Sequence, residues 1–424
     1  MPRISSPASL TVDPHDWIRP PYSDCGKCGA VASVGLLIVS GSFVRRRCRA
    51  CMRDSRERLP PAPQPHVLYL DQWALSSLAK ARLPDTRARF ASEQDSAAGA
   101  GMWPHLFSRI ERLVKAGLLV CPASSVHRAE LSLDIRRWEA LRRLHVYLGG
   151  DARFANHKQV KRDQLYAAFC AWLDGDEPVF PSREAILRLR RGWPGLLQVS
   201  SSYQPELAEV EALRSGRKRR SGGLQQQVEA WASEPRTFDE RRTEQLAAYG
   251  PSYRPEINPM REFWVLSRHA MDERSMPTDR WASEVERFLS SDAPGETPFA
   301  QIASAAIASI GWLAEHAQRP KIDAGTLDDV QAFATYAPFC DAFTVDRRFA
   351  HVLRSPPMAN YVPAGLRLFA ANELKSLESW LIDLERAAPV GHFESIRAIY
   401  GDRWLQPFAT VLEAAGPAAE SDGP

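Results

Sequence analysis

Two short apolar runs in this chain are each followed directly by an aspartate. Residues 66–70 have the length and apolar character of a buried strand, and Asp71 closes the run before a helix-like stretch at 72–80. Near the other end of the chain, Ala342–Val345 has the same character and is closed by Asp346. Because ligands of open α/β sheets bind outside the carboxyl ends of the strands, this repeated pattern predicts a divalent-metal site.

A second strand and helix follow the first in the same order. Residues 117–122 predict a buried strand, and Ser124 stands where the N-cap of the next helix is expected. Glu130 lies in that helix and is the third candidate acid, although an ordinary surface glutamate is the alternative. His127 shares a helix face with Glu130. A packed or hydrogen-bonded structural histidine is the preferred interpretation of His127.

Two adjacent aspartates mark the start of another predicted helix. Thr326 can cap this helix, its first turn carries Asp328 and Asp329, and Pro338 helps to end it. The helix macrodipole alone would account for one acid at this position. Periodicity does not separate neighbouring residues, so Asp329 is the candidate ligand and Asp328 remains its rival.

A further aspartate, Asp341, precedes the strand that Asp346 follows. At about 3.3 Å per residue the two aspartates lie roughly 16 Å apart and do not serve one metal site. Asp346 is therefore the better ligand, and Asp341 is a weaker candidate for which a structural role is expected.

The middle of the chain, about residues 131–320, has mainly helical periodicity and contains a basic cluster at 214–223. The glycines and charges of this cluster predict an exposed loop or a break in a helix. Two interpretations stay open, a patch that follows the phosphates of RNA or DNA and a solvated loop. The candidate nucleic-acid contacts in the cluster are Arg217, Lys218, Arg219 and Arg220.

Four of the seven cysteines form two Cys-x-x-Cys pairs with nineteen residues between them. This spacing predicts a tetrahedral zinc site whose ligands are Cys25, Cys28, Cys48 and Cys51. Because four thiolates leave no open coordination position, the predicted zinc is structural. Disulfides or uncoordinated thiols are the alternatives.

Arginines surround the second cysteine pair. Arg45, Arg46 and Arg47 precede it. They are candidate contacts to a phosphate backbone. The other interpretation is a solvated cluster that keeps a small zinc module soluble.

Composition limits what the whole chain does. In 424 residues, 54 basic and 51 acidic side chains give a formal net charge of only +3, so nucleic-acid binding has to come from local basic patches. There is no signal-like N-terminus, and no apolar run approaches the ~20 residues that span a bilayer. These features predict a soluble cytoplasmic protein without a membrane partner.

The length favours more than one domain. The Pro-rich stretch at 59–65 predicts a stiff linker after a small N-terminal module. The predicted organisation is a zinc-ribbon module at 1–58, the linker, a first α/β half at 66–150, a helical insertion at 151–320, a second α/β half at 321–390 and a C-terminal extension at 391–424.

The ordered set of strand-Asp71-helix, strand-helix with Glu130, helix-start Asp328 and Asp329, and strand-Asp346 resembles PIN-domain nucleases, a family that includes bacterial toxin endoribonucleases. Residues 366–370 and 372–381 would supply the closing strand and helix. The resemblance covers about residues 66–150 and 320–390. The chain departs from a small stand-alone PIN domain by its long helical insertion.

The resemblance implies a PIN-like α/β parallel-sheet sandwich with a large helical insertion, preceded here by the zinc ribbon. It also implies that Asp71, Asp329 and Asp346 hold one or two Mg²⁺ or Mn²⁺ ions, with Glu130 as a ligand or a water-orienting base. Thr344 could position the scissile phosphate, although a strand threonine needs no such role.

These expectations lead to a metal-dependent endonuclease that cleaves RNA, with toxin or defence as its role and an antitoxin as a partner to be considered. One alternative is a non-catalytic PIN scaffold that binds RNA or a protein partner through the zinc ribbon. A DNA nuclease is the other alternative, because it shares the chemistry and differs only in substrate.

Overall fold

The computed structural model describes most of the chain. The described residues are 17–82, 101–133, 135–150, 152–189, 192–198, 207–234, 236–252, 261–316, 322–323 and 325–410. Parts of the predicted N-terminal module, helical insertion and C-terminal extension, including residues 1–16 and 411–424, therefore lie outside the described residues.

The strands are named in chain order. They are β1 Arg19–Ser23, β2 Val34–Ser40, β3 Phe43–Cys48, β4 Asp54–Arg58, β5 His66–Tyr69, β6 Leu119–Val120, β7 Arg153–Phe154, β8 Leu187–Arg188, β9 Leu197–Gln198, β10 Ala342–Val345, β11 Arg367–Ala370 and β12 Ala409–Thr410.

The α-helices are named in the same way. They are α1 Gln72–Arg82, α2 Trp103–Lys115, α3 Ser125–Leu131, α4 Ile135–Gly149, α5 His157–Asp174, α6 Arg183–Ile186, α7 Leu207–Ser233, α8 Phe238–Ala247, α9 Tyr249–Ser252, α10 Arg261–Glu273, α11 Trp281–Leu289, α12 Pro298–Glu315, α13 Thr326–Tyr336, α14 Arg347–Leu353, α15 Pro356–Ala359, α16 Leu374–Arg386 and α17 His392–Tyr400.

A four-stranded parallel sheet in the order β11-β10-β5-β6 forms the centre of the α/β part. Its strands are short and apolar because both faces are covered. Along β5 the side chains alternate, so that Leu68 packs into one core and Val67 and Tyr69 pack into the other. Helices α1, α2 and α16 contribute to the first core, and α12 and α13 to the second. The predicted α/β class with a parallel sheet is confirmed.

The N-terminal strands form a separate antiparallel sheet in the order β1-β2-β3-β4. Its apolar side chains Leu36, Val39 and Val44 belong to the same buried cluster as Leu68 of the parallel sheet. Trp193 is buried beside them, and its indole Nε1 donates a hydrogen bond of 2.8 Å to the Pro60 carbonyl in the Pro-rich segment. The N-terminal sheet and the segment after it are therefore packed against the α/β body.

The described part of the insertion is mainly helical. A third buried cluster joins α5, α10 and α11 through Leu165, Phe169, Phe263 and Phe288. Helix α12 is the most apolar of these helices and packs against α8 and α13, which links the insertion to the central sheet.

The prediction of an exposed loop or helix break at 214–223 is wrong. Helix α7 runs without interruption from Leu207 to Ser233, through all three glycines of the basic cluster. Its later turns bury Leu224, Val228 and Trp231 in the second core. This burial outweighs the unfavourable helix propensity of glycine, which costs roughly 1 kcal/mol per residue.

The prediction that Thr326 caps its helix is also wrong. Thr326 is the first residue of α13, and the carboxylate of Asp323 accepts hydrogen bonds from the backbone N–H groups of Gly325 and Thr326 at 2.9 and 3.1 Å. The helix ends at Tyr336, two residues before Pro338, in agreement with the predicted stop.

None of the helices in the described parts of the chain combines the length and the apolar character that crossing a membrane requires.

Candidate active site

A small cleft opens at the carboxyl edge of the parallel sheet. Four acids from four different segments line it, together with apolar side chains of β5, β10, α13 and α14. The acids are Asp71, Glu130, Asp329 and Asp346. The structure thus brings the four main candidate residues around one space.

Asp71 is held by the backbone and by the neighbouring strand. Its Oδ1 accepts a 3.0 Å hydrogen bond from the N–H of Ala74 in the first turn of α1. Its own N–H donates to Oγ1 of Thr344 at 2.8 Å, and this hydroxyl lies 3.3 Å from Oδ1 of Asp71. Thr344 is fully buried on β10, so in this structure its hydroxyl orients Asp71 and does not face a phosphate.

Asp346 is the N-cap of α14. Its Oδ1 accepts a 2.6 Å hydrogen bond from the N–H of Phe349. The parallel pairing sets Phe343 of β10 opposite Tyr69 of β5, so Asp71 and Asp346 follow two and three residues after one aligned pair. Strand pairing therefore places both carboxylates at the same edge.

Glu130 is positioned by a tightly fixed helix. Ser124 caps α3 by accepting a hydrogen bond from the N–H of His127 at 3.1 Å. The buried imidazole of His127 accepts from the Ser124 N–H at Nδ1 and donates from Nε2 to the Leu70 carbonyl at 2.6 Å. His127 therefore ties the start of α3 to the end of β5, which is the structural role expected for it. Burial lowers the pKa of His127 well below its usual value, so the ring is neutral.

The two adjacent aspartates of α13 lie in different places. Asp329 lines the cleft, whereas Asp328 does not. Oδ2 of Asp328 lies 2.6 Å from Nε of Arg217 on α7, and the same arginine places Nη2 3.4 Å from Oε1 of Glu130. Arg220 also approaches Asp328, at 3.7 Å.

Burial and mutual repulsion disfavour the charged forms of these acids. Burial, together with the charge of Asp346, raises the pKa of Asp71 to about 7. Burial raises the pKa of Glu130 to about 8 against the opposing effect of Arg217. The pKa of Asp329 is raised well above its usual value, first by burial and then by the charge of Glu130. A cation bound in the cleft would relieve this repulsion, and hard divalent cations bind carboxylate oxygens.

The acids surround the cleft without forming a compact ligand cluster. Within the described ranges, the only group of three or more His, Cys, Asp or Glu residues whose ligand atoms all lie within 4.8 Å of one another is the set of four cysteines. Arg217 occupies the edge of the cleft beside Glu130 and contributes positive charge there.

The four cysteines lie close together at one end of the N-terminal sheet, in the β1–β2 connection and around the β3–β4 turn. The Sγ atoms of Cys25 and Cys51 are 3.7 Å apart, and those of Cys28 and Cys48 are 3.8 Å apart. A tetrahedron with Zn–S bonds of about 2.3 Å has S–S edges of about 3.8 Å, so donor type and spacing both fit zinc. The hydroxyl of Ser33, followed by the N–H of Cys51, lowers the pKa of Cys48 to about 6, which favours the thiolate that a metal binds.

The arginines beside the second cysteine pair have partners inside the molecule. Arg45 and Arg47 both pair with Asp54, and Arg47 Nε lies 2.5 Å from its Oδ1. The Nη2 atom of Arg46 donates to the carbonyls of Ala398 and Ile399 at 3.3 and 3.2 Å. The contacts of Arg46 hold the module against α17, and those of Arg45 and Arg47 fix the two side chains beside Asp54.

Asp341 lies at the amino end of β10, away from the cleft. It accepts a 2.6 Å hydrogen bond from the Val67 N–H and pairs with Arg183 at 2.7 Å. Hydrogen bonds from His66 and Arg183 outweigh its burial and hold the pKa of Asp341 far below its usual range. These contacts give Asp341 the structural role expected for it.

Sequence reasoning did not identify how Thr344 and Arg217 organise the cleft. The signal for Thr344 was its position one strand across from Asp71, which requires knowing the strand order. The sequence marked Arg217 only as a member of the basic cluster and gave no signal for its pairing with Asp328, which is more than a hundred residues away.

Comparison of the chain with protein-family models, curated proteins and solved structures gave no match. The function therefore has to be inferred from the chemistry of the acidic cleft and the cysteine cluster themselves.

Proposed function

We propose that this protein is a Mg²⁺- or Mn²⁺-dependent endonuclease that cleaves phosphodiester bonds in RNA, built on a PIN-like sheet. One observation carries the proposal: four acids from four separate segments line one cleft at the carboxyl edge of a parallel sheet. This edge is where open α/β sheets bind their ligands. A set of acids with strongly perturbed pKa values in a cleft is also typical of a functional site.

In this proposal Asp71, Asp329 and Asp346 hold the cation, and Glu130 completes the ligand set or orients the attacking water. A bound divalent ion would supply Lewis-acid stabilisation and lower the pKa of a water molecule. The donor chemistry suits such an ion because hard cations take oxygen ligands. Repulsion between the acids, which adds to the effect of burial on the pKa values of Asp71 and Asp329, would also be relieved by positive charge in the cleft.

The chain itself fixes the geometry of the acids. Thr344 and the Ala74 N–H hold Asp71 from two sides, and the Phe349 N–H holds Asp346. The His127 bridge between α3 and β5 keeps Glu130 close to the same edge. Catalytic groups have to be held in position in this way before the substrate binds.

We further propose that Cys25, Cys28, Cys48 and Cys51 bind one structural Zn²⁺. Their sulfur spacing and the closed four-thiolate donor set support this role. Such an ion would stabilise the β1–β4 sheet and take no part in hydrolysis.

The test compares the wild-type protein with an Asp71→Asn/Asp346→Asn double variant. Both are incubated with labelled single-stranded RNA, structured RNA and DNA, in Mn²⁺ or in a chelator. Asp383→Asn, which changes an exposed carboxylate on α16, is the matched control. We expect Mn²⁺-dependent cutting of RNA by wild type and control, and a loss of at least about 1,000-fold in the double variant.

Each of the other outcomes would support one of the alternative functions. Metal-dependent cutting of DNA but not RNA would make the protein a DNA nuclease. If no protein cuts any substrate and wild type and double variant bind RNA equally well, the chain is a binding scaffold and the catalytic proposal is wrong.

A further inference from the structure

Helix α7 of the insertion brings an arginine to the edge of the acidic cleft. Arg217 contacts Asp328 on α13, with Nε 2.6 Å from Oδ2. Its Nη2 faces Glu130 at the longer distance of 3.4 Å. A methyl group added at Gly325 would lie 3.1 Å from Nη2 and 4.0 Å from Oδ2 of Asp329. The guanidinium therefore lies between two of the four acid-bearing segments, α3 and the start of α13.

The two contacts of Arg217 differ in strength. A charge-assisted pair at 2.6 Å is close to the optimum, whereas 3.4 Å is near the limit for a hydrogen bond. Both side chains are sheltered, with 20 % of Arg217 and 19 % of Asp328 exposed, so solvent screens this pair only in part. Asp328 therefore anchors the guanidinium, and Glu130 is the partner that can be exchanged.

The contact between Asp328 and Arg217 also distinguishes the roles of the two adjacent aspartates. Asp329 lines the cleft, and Asp328 is turned to Arg217 and Arg220 outside it. A planar guanidinium can keep one N–H group on a carboxylate while another, here the Nη2 that faces Glu130, exchanges its partner for a different anion.

We propose that Arg217 binds a non-bridging oxygen of the scissile phosphate, with Asp328 as the residue that positions it. This inference rests on the proposed nuclease function and assigns to the insertion a direct part in substrate binding. When Glu130 is engaged by a bound cation or a water molecule, Arg217 exchanges its 3.4 Å contact with Glu130 for a phosphate oxygen. It keeps its contact with Asp328 throughout. The positive charge then faces the phosphate on which negative charge develops during cleavage.

The same helix presents further positive charge next to Arg217. Lys218, Arg219 and Arg220 follow it directly, and all three side chains are exposed. Because α7 is continuous, these charges lie on a rigid element that leads up to the cleft. A nucleic acid whose scissile phosphate contacts Arg217 could place neighbouring phosphates against this helix.

The test compares Arg217→Ala with Arg386→Ala, which removes the same charge from an exposed position on α16. Single-turnover cleavage is measured in Mn²⁺. RNA binding is measured in chelator, with each change placed in the Asp71→Asn/Asp346→Asn background. We expect Arg217→Ala to slow cleavage on the order of 100-fold and to weaken RNA binding. We expect Arg386→Ala to change the cleavage rate by less than about 3-fold, since it removes only a surface charge.

Two further measurements distinguish positioning from a structural effect. Added guanidinium ion should partly restore cleavage by Arg217→Ala and leave the cleavage rate of Arg386→Ala unchanged. Asp328→Asn should reduce cleavage less than Arg217→Ala, and combining the two changes should add nothing, because Asp328 acts through Arg217.

If Arg217→Ala unfolds at a lower temperature than the wild type, Arg217→Lys replaces it in the assay. Lysine keeps the charge but cannot make both contacts with one planar fork, so slow cleavage is still expected. Cleavage by the folded Arg217 variant at or above the wild-type rate would overturn the inference and leave the nuclease proposal intact. If the wild type itself shows no metal-dependent cleavage, the proposed function fails first, and the binding data alone then report on α7.

Discussion

The adjacent residues Asp328 and Asp329 have different contacts: Asp328 pairs with Arg217, and Asp329 lines the cleft. Both lie in the first turn of α13, where the helix macrodipole favours acids, so the sequence pattern treats them alike. Their side chains point about 100° apart around the helix, and only Asp329 reaches the cleft. Which of the two faces the site depends on how α13 packs against the sheet, and that packing is set by residues distant in sequence.

Thr344 provides a residue-scale prediction about the cleft. Thr344→Val removes the hydroxyl that accepts from the Asp71 N–H, so we expect stability to fall by about 1–3 kcal/mol and cleavage to slow, because the Asp71 carboxylate loses a positioning contact. Urea unfolding and single-turnover cleavage measure the two effects.

The matched control is Thr335→Val on α13. Thr335 is also fully buried, but its hydroxyl has no hydrogen-bond partner among the described residues. Its replacement should leave stability unchanged or raise it, because an unsatisfied polar group is removed. Equal losses in both variants would contradict the role assigned to the Thr344 hydroxyl.

The imidazole of His145 predicts a pH effect on stability. It is buried beside the His127 ring, with centroids 4.4 Å apart, and burial lowers the pKa of His145 from 6.5 to about 4. The unfolded chain takes up a proton below pH 6.5 while the folded chain does not, so this contribution to stability is complete above pH 6.5 and is lost as the pH falls towards 4. At pH 5 the loss is about 2 kcal/mol.

The contribution is measured by comparing the wild type with His145→Leu in urea unfolding at pH 7.5 and pH 5. The variant should lose less stability between these two values. His105→Leu, at an exposed position, should follow the wild type. The raised pKa values of the carboxylates in the cleft increase the free energy of unfolding as the pH falls, which is the opposite effect. They do so equally in wild type and variant, so the difference between the two proteins reports His145 alone.

At the scale of elements, the sequence predicted short buried strands and regular helices well. The strand before Asp346 has the predicted bounds, Ala342–Val345, because a complete local pattern of apolar residues specifies it. Helix α7 was predicted incorrectly, since its glycines and charges argue locally against a helix. Contacts of Arg217 with Asp328 and burial of Trp231 stabilise it, and neither is visible in a local window.

The glycines of α7 give an element-scale prediction. A methyl group added at Gly222 or Gly223 would meet no atom within 4 Å in the described chain, and neither residue has a left-handed backbone. Each change to alanine should therefore stabilise the protein by about 0.5–1 kcal/mol, because alanine favours the helix. Thermal and urea unfolding provide the measurement.

Gly311 of α12 is the opposing control. A methyl group there would lie 2.5 Å from the Trp231 ring, so Gly311→Ala should destabilise the protein by about 1–3 kcal/mol. If Gly222→Ala and Gly223→Ala also destabilised it, α7 would not be the continuous helix described.

At the scale of the whole molecule, the sequence indicated an α/β protein with a parallel sheet and a cysteine cluster before it. It did not indicate that the N-terminal sheet shares a buried cluster with the α/β body. The Pro-rich segment suggested a spacer, but Trp193 holds the Pro60 carbonyl, and Trp193 comes from the predicted insertion. Contacts between segments so far apart in the chain produce no periodic pattern of apolar residues in either segment, so the sequence does not predict them.

This shared core predicts that metal removal affects the whole protein. Purified protein should contain one zinc per chain, and a chelator under reducing conditions should lower the melting temperature of the α/β body as well as that of the N-terminal sheet. Without zinc, Leu36, Val39 and Val44 of the N-terminal sheet would lose their fixed positions in the buried cluster that they share with the α/β body.

Elemental analysis and thermal unfolding measure these effects. Cys51→Ser should reproduce the effect of the chelator, whereas Cys121→Ala, at an isolated buried thiol, should keep its zinc. Full stability of the zinc-free protein would show that the cluster does not support the shared core.

The pairing of β5 with β10 also determines when, during synthesis of the chain, the cleft can first form. Asp71 and Thr344 are bonded neighbours separated by 273 positions in the chain. A ribosome that adds about 5–20 residues per second needs roughly 14–55 s to synthesise the stretch between them. During that interval β5 has no β10 beside it, and an unpaired strand edge is prone to aggregation. The emerging chain therefore exposes this edge of β5 until β10 has been made, and any activity of the cleft begins only after Asp346 has been added.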